Sequence, residues 1–176
     1  VGIPISKLPI RNLDRVSLDA YNTLVMVSGR YSLSEKFSKA LSDWVSKGNT
    51  LITIGTGSSW AVNTKFVKEK LIKVVPDSTT LTSRKPYVDA GENIGREALG
   101  GVFLKGDMDL SHPLGFGYDQ SRVALYKNNE VWLAPSKSAY GTVIDYAEKP
   151  HLDGYISEKN QREFLPKSAS LIVSPK

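Results

Sequence analysis

Asn49-Thr-Leu-Ile-Thr-Ile-Gly-Thr-Gly-Ser-Ser-Trp-Ala-Val62 decides how the first half of this chain is read. Thr50 to Ile54 has the composition of a buried strand, and Gly55 to Ser59 that of a tight turn leading into a helix near Trp60. In an α/β sheet, ligands and nucleophiles sit in the crevice beyond such a strand end. The turn is made of Gly55, Thr56, Gly57, Ser58 and Ser59, and it contains no cysteine.

Upstream, Leu24 to Val27 is a continuous apolar run between Asn22 and Gly29, the pattern of a strand buried on both faces. Between the two strands, Ser32 and Glu35 have capping-box spacing. Phe37, Ala40, Leu41, Trp44 and Val45 then recur on one helical stripe, and Gly48 stands where a left-handed C-terminal residue is wanted. Strand, helix and strand in this order predict a parallel crossover unit. Residues 1–20 are irregular, with a short strand at Gly2–Ser6.

Downstream, a second helix is expected over Ser59–Leu71, with Lys65, Lys68, Lys70 and Lys73 on or just beyond its solvated face. Pro76 to Pro86 reads as a loop and Glu92–Leu99 as a short helix. Past residue 100 the pattern changes to short strand-like runs at Gly101–Leu110, Arg122–Tyr126, Glu130–Leu133, Gly141–Tyr146 and Ala169–Ser174, with a hairpin turn at Asn128-Asn129.

The chain has 176 residues, a length that fits one domain. It has no cysteine, which excludes a disulfide framework, a thiolate metal site and a cysteine nucleophile. No apolar run reaches the roughly 18 residues of a membrane-spanning helix. The formal charge is +5, but the lysine-rich segment offers Phe66 alone as an interleaved aromatic, so nucleic acid is not expected as a partner. Val1 in place of a methionine suggests a fragment or a processed product.

Chemistry could reside in three places. The first is the turn: Ile54-Gly55-Thr56-Gly57 can be laid over the nucleophile elbow of class I glutamine amidotransferases, and Gly55 then falls on the cysteine. Glycine has no side chain with which to form a covalent intermediate. Thr56, Gly57, Ser58 and Ser59 could instead seat an anion on helix-start amides, or Ser58 or Ser59 could simply cap the helix. The second is the pair of histidines. His151-Leu152-Asp153 has the spacing of a histidine and its orienting acid, yet Pro150 and Gly154 suggest a surface turn there. A hydrolase using Ser58 or Ser59 with His151 requires these groups to meet. Asp107 and Asp109 alternate onto one strand face, as a carboxylate pair or simply as solvent-facing residues at a strand end, and two histidines by themselves cannot make a three-ligand catalytic zinc site. The third is Asp109-Leu-Ser-His-Pro-Leu-Gly-Phe-Gly-Tyr118, the most distinctive run in the chain, where Asp109, His112, Phe116 and Tyr118 are candidates for a pocket or an interface.

Together, Tyr21-Asn-Thr-Leu-Val-Met-Val-Ser-Gly-Arg-Tyr31, Trp44-Val-Ser-Lys-Gly-Asn-Thr-Leu-Ile-Thr-Ile-Gly55 and Gly101-Val-Phe-Leu-Lys-Gly-Asp-Met-Asp-Leu-Ser-His-Pro-Leu-Gly-Phe-Gly-Tyr118 resemble the C-terminal region of large secreted zinc carboxypeptidase-like proteins (peptidase family M14) of Bacteroidetes. Asp153-Gly-Tyr-Ile-Ser-Glu-Lys-Asn160 fits as well. The resemblance implies a flavodoxin-like, class I glutamine amidotransferase-like fold. That is a three-layer α/β sandwich with a mainly parallel sheet and extra β elements in the second half, spanning residues 1–176 as one domain trimmed at both ends. It further implies that the zinc ligands and catalytic glutamate belong to a preceding peptidase domain. On that reading this chain carries no catalytic residue, metal or cofactor. It is an extracytoplasmic accessory domain that binds or docks, with the peptidase domain of the same polypeptide or a second copy as partner. The other reading is a flavodoxin-like module binding phosphate or a small molecule at Thr56–Ser59.

Overall fold

The structure, a computed structural model, describes residues 2–73, 86–89 and 99–175. It contains two compact units, Val1–Val67 and Lys68–Pro175.

The first unit is the expected crossover. β1 (Thr23–Met26) and β2 (Thr50–Thr53) pair in parallel, with Leu24 opposite Leu51 and Val25 opposite Ile52. Between them runs α1 (Glu35–Ser46), which buries Phe37, Leu41 and Trp44. The helix is capped two residues later than expected. Ser34, not Ser32, is the N-cap, its hydroxyl accepting the Phe37 amide at 3.0 Å while donating to the Asp14 carboxylate. Ala40, expected on the buried stripe, is exposed. The Trp44 indole donates to the Tyr21 carbonyl at 3.1 Å, tying α1 to the start of β1. Leu18, Met26, Trp60 and Ala61 complete this core. Residues 2–6 form no strand; the segment before β1 instead makes 3-10 turns at Ile10–Arg15 and Leu18–Ala20.

α2 (Thr56–Asn63) begins directly after β2 and is shorter than expected. Lys65 takes a left-handed conformation (φ 58°), and Phe66 folds back to lie 5.5 Å from the Trp60 ring. An aromatic seeking burial thus ends the helix eight residues before the predicted Leu71. Lys65, Lys68, Lys70 and Lys73 are exposed on irregular chain, not along a helix.

The second unit overturns the expectation of a mainly parallel, flavodoxin-like sandwich. Its sheet is antiparallel and four-stranded, in the order β4-β3-β5-β6, formed by Leu99–Met108 (β3), Arg122–Lys127 (β4), Thr142–Ile156 (β5) and Ala169–Ile172 (β6). The physical reason lies in the alternation of β3. Val102, Leu104, Gly106 and Met108 point inward and Phe103 and Asp107 outward, which suits a sheet with one wet face. A parallel sheet needs near-continuous apolar strands and long crossover helices, and among the described residues of this unit there is no α-helix to supply one.

β5 absorbs two segments read separately from sequence, Gly141–Tyr146 and the region around His151. His151 is not in a surface turn but within this strand, opposite Leu104. Pro150 and Gly154 fall where the register with β3 shifts, and bulges are where a sheet tolerates proline and glycine. Gly154 has φ 85°, and a Cβ built on it would come 2.3 Å from the Gly101 carbonyl oxygen. Val102, Leu104, Trp132, Ile156, Phe164 and Leu165 form the main core, and Met108, Val143 and Ile144 a second cluster. Glu130–Leu133 is not a strand: Leu133 alone forms bridges, to Leu71 and Ala169. Nor is Asn128-Asn129 a hairpin turn; the Asn129 side chain accepts the Val131 amide at 3.1 Å, turning the chain away from β4. The loop from Pro76 and the helix expected at Glu92–Leu99 fall largely outside the described residues.

Gly154→Ala is expected to destabilise the protein by roughly 3 kcal/mol or more, because the new methyl meets backbone and the φ is unfavourable. Gly48→Ala, at φ 97° but with nothing within 4 Å of its Cβ, should cost about 1 kcal/mol. Urea unfolding of the two variants checks the difference.

Candidate functional site

The bend after β2 has the layout of a strand–elbow–helix turn. Gly55 sits at φ 58° and ψ −121°, a conformation that a residue bearing a side chain adopts only under strain. That strained geometry is the one an elbow nucleophile takes, but the residue here is glycine, which has no side chain to attack with. The neighbouring hydroxyls are committed to the scaffold. Thr56 Oγ1 accepts the Gly29 amide at 2.8 Å and donates to the Gly29 carbonyl at 2.9 Å, locking the loop after β1 to the start of α2. Ser58 is buried; its hydroxyl lies 3.0 Å from both the Thr53 hydroxyl and the Thr53 carbonyl, pointing back along β2. Gly57 is required by close approach, since a Cβ there would lie 2.6 Å from the Met26 carbonyl oxygen.

The amides expected to hold an anion are likewise taken. Gly57 N–H donates to the Ile54 carbonyl (3.1 Å), and Ser58 and Ser59 N–H both donate to the Gly55 carbonyl (3.0 and 3.3 Å). These bonds tighten the first turn and leave fewer donors facing outward than an ordinary helix start offers.

Ser58 and His151 belong to different units, and each is engaged locally. His151 Nε2 lies 2.8 Å from the Gly154 carbonyl oxygen, and Asp153 accepts the Gly154 amide at 2.8 Å, so acid and imidazole both serve the bulge of β5. Asp109 lies beyond the end of β3 and accepts both the amide (2.9 Å) and the hydroxyl (2.6 Å) of Ser111. The Ser111 side chain, with its amide, holds the Asp109 carboxyl below the usual carboxylate range. It is thus a turn residue and not half of a carboxylate pair with Asp107. His112 Nδ1 accepts the Leu114 amide at 3.1 Å, capping the 3-10 turn Pro113–Gly115. Gly115 packs under Asp109 and Leu110, where a Cβ would lie 2.8 Å from the Asp109 carbonyl oxygen. The loop is internally braced, and Phe116 projects from it 95% exposed, with Leu114 and Tyr118 also exposed.

Among the described residues, no group of three or more His, Asp or Glu is placed to hold a metal ion, and no helix is long and apolar enough to cross a membrane.

The sequence reading missed Lys127. Alternation in β4 places Val123, Leu125 and Lys127 on the inner face, so a cation at an apolar position was the available signal. Lys127 is buried, donates to the Val131 carbonyl at 2.7 Å and lies 4.3 Å from the centre of the Trp132 ring, which itself stacks on Phe164 at 5.7 Å. Burial pulls its pKa down to about 8, opposed by the nearby Glu130 carboxylate. Asp145 shifts the other way: partial burial, and then the facing Asp107, push its carboxyl up.

Compared with known proteins, the chain matches no family model, no curated protein and no solved structure.

The lysine makes a pH dependence testable. The unfolded chain holds the Lys127 proton up to its ordinary 10.5, and the folded chain only up to about 8. In that window the unfolded state binds more protons, so stability rises with pH, by about 2 kcal/mol between roughly pH 7.5 and 9.5. Chemical denaturation across this range should show the rise, and Lys127→Met should flatten it.

Proposed function

We propose that this chain is a non-catalytic binding and docking module. The observation that carries the reading is the bare apolar face of β1 and β2. Parallel strands ordinarily have both faces covered. Here Val25, Val27, Ile52 and Ile54 lie side by side, each between 43% and 57% exposed, and the expectation of burial on both faces fails. A contiguous β-branched surface in water is the signature of a face that another protein covers. On the second unit, taken by itself, Phe116 projects an exposed aromatic ring of the kind that dominates interfaces, from a loop braced by its own hydrogen bonds.

The bend after β2 supports the same reading. Glycine occupies the elbow, and the Thr56 and Ser58 hydroxyls are bonded within the scaffold. The resemblance to the zinc carboxypeptidase-like proteins supplies the partner: the peptidase domain of the same polypeptide. Zinc and the extracytoplasmic location would then be properties of that parent protein.

Ile52→Lys puts a charge in the middle of the bare face without entering the core. It should leave the melting temperature within about 2 °C of wild type. Titration calorimetry between separately produced chain and peptidase domain should show association weakened about tenfold or more. Failure of the wild-type chain to associate, or undiminished association of the variant, would refute the docking role.

A further inference from the structure

The wet face of the antiparallel sheet carries aromatic rings in a cluster. Phe103 of β3 stands directly opposite Tyr126 of β4 and Asp153 of β5, so the three share one face. Tyr155, two residues beyond Asp153 on β5, lies on that face too. Phe103, Tyr126 and Tyr155 are all exposed, and the first two rings lie 5.2 Å apart, tilted by 49°. Gly101 places no side chain among them. A Cβ there would come 2.9 Å from the Tyr126 hydroxyl and 3.6 Å from its ring, so Tyr126 leans over bare backbone. Farther along the same face come Lys105 and then a row formed by Arg122, Asp107 and Asp145 across three strands. The side chains of Lys105, Asp107 and Arg122 make no hydrogen bond or ion pair among the described residues.

A cross-strand aromatic pair steadies a sheet by up to about 1 kcal/mol, which accounts for Phe103 beside Tyr126. The same face also carries the exposed ring of Tyr155 and the side chains of Lys105, Asp107 and Arg122. We propose that this face binds a neutral oligosaccharide. Pyranose rings present flat C–H faces that pack on aromatic side chains, and their hydroxyl edges donate to carboxylates and accept from lysine and arginine. Charge separates this ligand from single-stranded nucleic acid, which also stacks on aromatics. The face has three carboxylates (Asp107, Asp145, Asp153) and two cations (Lys105, Arg122), whereas a phosphate backbone needs a positive groove. A protein partner fits less well, because charged residues are depleted at interface centres.

The test is affinity electrophoresis of the whole chain through gels containing β-glucan, xylan, mannan or α-glucan, followed by calorimetry with a hexasaccharide of the retarding polymer. Retardation by at least one polymer is expected, with affinity reduced about tenfold or more in Phe103→Ala and Tyr155→Ala. Phe103→Leu, which keeps an apolar side chain on the strand and removes the ring, should lose affinity about tenfold while the melting temperature falls by no more than about 4 °C, the share of the aromatic pair, separating ligand contact from sheet stability. Ile52→Lys, on the other unit, should bind sugar as wild type does, so this proposal and the docking role fail independently. Absence of retardation by all four polymers would overturn the proposal. So would binding indifferent to all three aromatic substitutions, or capture of a single-stranded oligonucleotide on this face in place of sugar.

Discussion

Two backbone segments can touch only where no side chain stands between them, and each unit of this protein is organised around one such approach. In the first, Gly57 lets the opening turn of α2 settle against the Met26 carbonyl at the end of β1, while Thr56 ties the same turn to Gly29. In the second, Gly154 rests against the Gly101 carbonyl where β5 bulges past β3. With these contacts fixed, the core residues on either side are held in register. Leu18, Met26, Phe37, Leu41, Trp44 and Trp60 pack in one unit, and Val102, Leu104, Trp132, Phe164 and Leu165 in the other. The contact at Gly57 also explains why the bend reads like an active site and is built as a joint: the same sharp geometry that would expose a nucleophile is here spent on seating a helix.

The functional character follows from which faces are left in water. The parallel pair β1 and β2 buries one face and leaves β-branched residues in water on the other, and the proposed docking role rests on that face. The antiparallel sheet needs no such cover, since alternation gives it a wet face by construction. Its wet face nonetheless gathers three aromatic rings beside charged groups of both signs. The loop from Asp109 to Tyr118 spends its polar groups on bracing itself, and what it offers outward is the Phe116 ring. The proposed docking and sugar-binding roles rest on the first two of these surfaces.

Local signals were legible where one short segment carried the whole reason. The α1 stripe of Phe37, Leu41 and Trp44, the left-handed Gly48, the parallel pairing of the two strands and the glycine bend were all readable from spacing. The start of α1 was misplaced because Ser32 and Ser34 are both competent caps, and the choice fell to Ser34 through its contact with Asp14, twenty residues away in sequence. The end of α2 was misplaced because the ring of Phe66 gains burial on Trp60 by leaving the helix. Asp109 and His112 stand in the most distinctive run of the sequence, but spacing could not reveal that both cap turns within it. Lys127 escaped notice because a lysine in a strand usually faces water, and only the pairing of β4 with β3 turns it inward over Trp132.

The sequence by itself determined the crossover unit, the glycine bend after β2 and the absence of a cysteine nucleophile, because these depend on residue type and on neighbours a few positions away. Only the tertiary structure decided that the second half is an antiparallel sheet and that β5 runs unbroken through Pro150 and Gly154. It also decided that the rings of Phe103, Tyr126 and Tyr155 share one face and that Val25 and Ile52 stay in water. Sheet pairing joins residues tens of positions apart, and a register shift of one residue exchanges the inner and outer faces of a strand. The alternation of β3 is compatible with that choice, but the pairing partners and the register are set only in the folded sheet.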